Sequence, residues 1–94
     1  MKKATITNLD EVPLVLRDGL KIAVETMDFS VDEFEYWNSF IHDGETYDVN
    51  VYQSDDETDD NWYGALSDTV AIEGEDFLDQ GSVIACFKVQ VEVE

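Results

Sequence analysis

Two aspartyl-glycine pairs, Asp18-Gly19 and Asp43-Gly44, punctuate the first half of this chain. Turns of that composition tolerate the positive φ that tight hairpins demand. With Asp43-Gly44 as a two-residue turn, Tyr36 and Phe40 fall opposite Val51 and Tyr47 on one face, which predicts a hairpin over about residues 34–53. With Arg17-Asp18-Gly19 as a three-residue turn, Val12, Leu14 and Leu16 oppose Val24, Ile22 and Leu20. Residues 11–27 also fit a helical period, with Val12, Leu16, Leu20, Ala23, Val24 and Met27 on one side and Arg17, Lys21 and Glu25 on the other. Both readings of 11–27 stay open. Ser30-Val31-Asp32-Glu33 offers a capping box for a competing helix through Ile41, but the aromatic and β-branched residues of 34–53 favour strands.

The end of the chain alternates strictly, so that Phe87, Val89, Val91 and Val93 should face a core. Trp62 to Leu66 and Thr69 to Ile72 read as short strands, and Glu75 to Gln80 as a loop or single helical turn before Gly81. A C-terminal strand at a sheet edge would be able to pair with a copy of itself, allowing monomer or dimer. The expected fold is mainly antiparallel β or α+β. It is a single acidic domain over residues 1–94, with hairpins at Asp18-Gly19 and Asp43-Gly44 and room for one or two helices on one face.

Charge is the second constraint. Twenty-three acids against five bases give a net charge of −18. Disordered acidic segments lack large apolar side chains, whereas this chain has five Phe, four Tyr and two Trp. The bases are Lys2, Lys3, Arg17, Lys21 and Lys88, so residues 22–87 contain no Lys or Arg and hold 18 of the acids. An ordinary acidic surface intersperses both signs, because neighbouring cations relieve repulsion. A merely solvated surface, as in proteins of salt-loving organisms, explains the excess of acid without explaining this segregation. The densest run, Asp55-Asp56-Glu57-Thr58-Asp59-Asp60, leads at once into Asn61-Trp62-Tyr63, and charge beside large aromatics suits a contact site.

Catalytic motifs are missing. His42 reads as an exposed turn residue and Cys86 as a small buried or half-buried hydrophobe, and no phosphate loop, Cys/His metal spacing or serine elbow occurs. An EF-hand loop beginning at Asp55 would put Asp60 where Gly is required and Leu66 where the bidentate Glu belongs. Neither enzyme activity, cofactor nor metal is expected. Lys2 and Lys3 are not followed by the apolar run of an export signal, and one cysteine suits a reducing cytoplasm. An anionic surface would be repelled by anionic lipid, so no membrane partner is expected.

Size, charge and the Lys/Arg-free stretch 22–87 resemble the small acidic proteins that bacterial viruses use against host defences. These are DNA mimics that block restriction enzymes, CRISPR effectors or uracil-DNA glycosylase. The resemblance rests on no family motif and brings no functional residue with it. It implies a cytoplasmic inhibitor in the host bacterial cell, binding a basic nucleic-acid-binding protein and not nucleic acid itself. Duplex DNA carries about one charge per 1.7 Å, so 18 carboxylates match roughly 31 Å of duplex. The contact residues expected are Asp32, Glu33, Glu35, Asp43, Glu45, Asp48, Asp55, Asp56, Glu57, Asp59, Asp60, Trp62 and Tyr63, with Trp37 or Tyr52 as further apolar contacts. The alternative is an immunity or antitoxin protein that neutralises one basic toxin or nuclease by charge complementarity.

Overall fold

The computed structural model describes residues 2–28, 35–54, 61–71, 73–74 and 78–93. Strand β1 (Lys2–Ile6) is followed by two 3₁₀ turns (Leu9–Glu11 and Leu14–Leu16) and helix α1 (Arg17–Glu25). Four strands follow: β2 (Glu35–His42), β3 (Glu45–Gln53), β4 (Trp62–Ala71) and β5 (Leu78–Val93). They form one antiparallel sheet in the order β1-β5-β4-β3-β2. The expected fold class is therefore observed, with one helix packed against the sheet.

Of the two readings of 11–27 the helical one holds over Arg17–Glu25, preceded by the 3₁₀ turn Leu14–Leu16. Val12, Leu16, Leu20, Ala23, Val24 and Met27 are all buried, which is the helical face the 3.6-residue period picks out. The hairpin at Asp18-Gly19 does not form, because both residues lie in the first turn of α1. Gly19 serves close packing instead of a turn: a Cβ there would run into the ring of Phe40 on β2. Arg17 holds the approach to the helix, donating from Nε to the Val12 carbonyl (2.8 Å) and from Nη2 to the Asp10 carbonyl (2.9 Å). At the other end Asn38 of β2 donates its Nδ2 to the Ala23 carbonyl (2.8 Å), giving one carbonyl of the last turn a partner and tying α1 to the sheet.

The Asp43-Gly44 hairpin forms in the expected register, Tyr36 opposite Val51 and Phe40 opposite Tyr47. Both turn residues have positive φ (51° and 79°), the signature of the turn whose twist matches the strands. Ser30 to Glu33, proposed as a capping box, lies outside the described residues.

Pleating then sorts the side chains. Tyr36, Val49, Val51, Leu66, Phe87 and Val89 turn inward with α1, and Val91 packs partly buried against them. Fully burying one such side chain is worth about 1.5–3 kcal/mol. The side chain of Val93 lies outside the description.

Four other expectations need correction. The short strands expected at Trp62 to Leu66 and Thr69 to Ile72 are one strand, β4, as far as Ala71, continuing through a register shift with β5 around Ser67, and Ile72 lies outside the described residues. There Asp68 accepts a hydrogen bond from the Ser82 N–H (2.6 Å), pinning the irregularity. Part of the Glu75 to Gln80 loop is strand, since β5 begins at Leu78; residues 75–77 lie outside the described residues. The C-terminal strand is not an edge: β5 is paired on both sides, by β1 and β4, so the edges are β1 and β2. Cys86 is exposed, because its alternate position puts it on the face away from Phe87.

Candidate interaction surface

The charge segregation of the chain is also a segregation across the sheet. Lys2 and Lys3 lie on β1, one edge, and Lys88 on the neighbouring β5. Arg17 and Lys21 lie on α1, where Lys21 lines a shallow hollow with Ala4, Ile6 and Leu9, on the β1 side. Strands β2, β3 and β4 carry no base, while Glu35, Asp48 and Asp68 lie on them and Asp43 and Glu45 flank their first turn.

One face of this base-free half is uncovered by α1. Register places its side chains in rows: Lys88, Tyr63, Tyr52 and Glu35 form one, and Cys86, Ala65, Asn50 and Trp37 the next. The Tyr52 and Tyr63 rings stand 6.2 Å apart, and Trp37 is 52% exposed. Aromatics beside Glu35 make a surface able to combine steering by charge with burial of apolar area, with Lys88 at its far side.

A third row pairs Ser67 with Asp48. Ser67 is fully buried, and its Oγ accepts from Gln80 Nε2 (2.8 Å). Asp48 is half-buried beside it, and burial, then the negative charge of Asp79, pushes its carboxyl above the ordinary aspartate value of 3.8. Folding thus favours protonated Asp48. Between 3.8 and its raised folded value the native state holds more protons than the unfolded chain. Stability contributed here accordingly falls as pH rises through that window, and the penalty is complete above it. Asp48→Asn is expected to raise the urea midpoint at neutral pH and to leave it unchanged below the ordinary aspartate value. Equal shifts at both pH values would show that ionisation is not the cause.

The described residues among the sequence-predicted contacts are spread along the sheet from one end to the other. Glu35 begins β2 at one end, where Ser54 and Asn61 also lie, joined by the Ser54 N–H to Asn61 carbonyl bond (3.4 Å). Asp32, Glu33, Asp55, Asp56, Glu57, Asp59 and Asp60 lie outside the described residues. Asp43 and Glu45 are exposed at the opposite end, and Asp48 lies between. Trp62 and Tyr63, adjacent in sequence, point to opposite faces. Trp62 packs against the core with its ring 5.9 Å from Tyr36, whereas Tyr63 joins the open face. Sequence reasoning missed Lys88 beside Tyr63; only knowledge of the β4–β5 register would have placed it there.

His42 is half-buried at the end of β2, next to the turn. Among the described residues no three His, Cys, Asp or Glu side chains gather as metal ligands would, and no helix is long and apolar enough to cross a membrane. Comparison with family models, with curated proteins and with solved structures finds no match for this chain.

Proposed function

We propose that this protein is an acidic inhibitor that occupies the positively charged nucleic-acid-binding site of another protein, as a DNA mimic of the anti-restriction or anti-CRISPR type. The observation that carries this reading is the spatial separation of charge. All five bases lie on β1, β5 and α1, leaving β2, β3 and β4 free of them, with Tyr52 and Tyr63 on the open face between Glu35 and Lys88. The molecule measures 41 × 28 × 24 Å. Eighteen net charges along 41 Å amount to about one per 2.3 Å, against roughly one per 1.7 Å in duplex DNA. That density is enough to displace counterions from a basic groove.

Competition tests the reading. The protein, immobilised at low salt, is expected to retain a basic nucleic-acid-binding protein from a bacterial lysate, and excess duplex DNA is expected to release it. Retention of no such protein would sink the proposal. Retention undisturbed by excess DNA would favour the immunity or antitoxin reading, in which Trp37, Tyr52 and Tyr63 are shaped to one basic enzyme.

A further inference from the structure

Strand β2 is an edge with an unusual lack of protection. Among the described residues it pairs only with β3, through eight consecutive register pairs without a shift. Protein edges are ordinarily blunted by lysine, proline, a bulge or short length. The other edge, β1, is five residues long and carries Lys2 and Lys3; β2 is eight residues long with no Lys, Arg, Pro or bulge.

The hairpin turn fixes which backbone groups face outward. His42 and Glu45, flanking the two-residue turn, form the close hydrogen-bonded pair, so the alternation directs the N–H and C=O of residues 35, 37, 39 and 41 away from β3. An independent contact agrees: the Ser39 N–H donates to the Oδ1 of the adjacent Asn38 (2.9 Å) and not into the ladder. Side chains at these same positions include Trp37, 52% exposed, and Ile41, 73% exposed. Glu35 lies at one end of this row and Asp43, in the turn, beyond the other, both exposed.

We infer that β2 accepts an extended segment of a basic protein as an added sixth strand, a step that rests on the basic-partner reading above. Opposite this edge, the complementary segment carries cations at its first and ninth positions, facing Glu35 and Asp43. Apolar residues at its third and seventh positions face Trp37 and Ile41. The segment runs antiparallel to β2, so that its odd-numbered residues turn their N–H and C=O toward the edge. A second copy of this chain fits poorly. Setting Trp37 against Ile41 across a two-fold places Glu35 opposite Asp43 at both ends, a like-charge clash added to the repulsion of two −18 molecules. Arrival of the strand takes over the Ser39 N–H from Asn38 Oδ1, while the Nδ2 of Asn38 stays on Ala23 and Thr26.

The probe is the capped peptide Lys-Thr-Val-Thr-Thr-Thr-Val-Thr-Lys in two isomeric forms, N-methylated either at positions three and seven, facing β2, or at four and six, facing away. The second isomer is expected to bind at low salt, to perturb tryptophan fluorescence and to slow exchange of the residue 37, 39 and 41 amides. The first should bind at least about tenfold more weakly, the scale of two lost hydrogen bonds. Equal binding of the isomers would overturn strand addition while leaving the basic-partner reading intact. Protection of the same amides without peptide, with a doubled molecular mass, would assign the edge to a second copy and also overturn it. Failure of both isomers alongside retention of a DNA-displaceable protein in the competition experiment would overturn the edge alone.

Discussion

Gly64→Ala is expected to cost about 3 kcal/mol, lowering the thermal midpoint by roughly 12–24 °C in a domain of this size. Gly64 lies at the centre of the sheet, paired with Val51 on one side and Phe87 on the other. A Cβ at this position would clash with the edge of the Phe87 ring, which is itself only 2% exposed. The loss is a large fraction of the few kcal/mol by which small domains are stable. Phe87→Leu removes part of the ring, so the double variant should unfold at a higher temperature than Gly64→Ala alone, a non-additivity confined to residues in contact. Additive losses would show that the ring is not the obstacle.

The second large effect concerns location against quantity of charge. Changing Asp55, Asp56, Glu57, Asp59 and Asp60 to their amides is expected to slow association with a DNA-displaceable basic partner by about 10- to 100-fold at low ionic strength. Changing Asp43, Glu45, Glu73, Glu75 and Asp76 removes the same five charges and should leave the rate within about threefold. In sequence the first set falls between Ser54 and Asn61, which share a backbone hydrogen bond beside the row of Glu35, Tyr52 and Tyr63. Of the second set, Asp43 lies in the β2–β3 turn, Glu45 begins β3 and Glu73 follows β4, while Glu75 and Asp76 lie outside the described residues. Stopped-flow rates over a range of salt concentrations decide the matter, and equal slowing by both sets would mean that only total charge counts.

Much of this architecture is legible in the residues, and the failures have physical causes. The β2–β3 hairpin was readable because turn chemistry and period-two pairing agree there. Residues 11–27 were ambiguous because Val12, Leu16 and Leu20 are spaced by four, a spacing shared by one strand face and one helix face. Ala23 and Met27, each three residues after a buried neighbour, fit only the helix. Gly19 resembled a turn residue because a glycine required by a neighbouring ring cannot be told from one required by φ until Phe40 is placed. The charge segregation was visible in the chain, but its spatial meaning depended on β5 lying between β1 and β4. The same unknown pairing hid Lys88, and the pleat separated Trp62 from Tyr63.

The pairing of β1 with β5 carries a kinetic consequence. It joins Lys2 to Val93 and Ile6 to Val89, residues at opposite ends of the described chain, whereas β2–β3 and β4–β5 are hairpins of neighbours. Closing so long a loop is slow compared with zipping a hairpin. A four-stranded intermediate should therefore form first, its β5 edge bare until β1 docks. Lys2 and Lys3 arrive with that last strand, so the step that completes the sheet also delivers positive charge to a strongly anionic intermediate, and added salt should slow it.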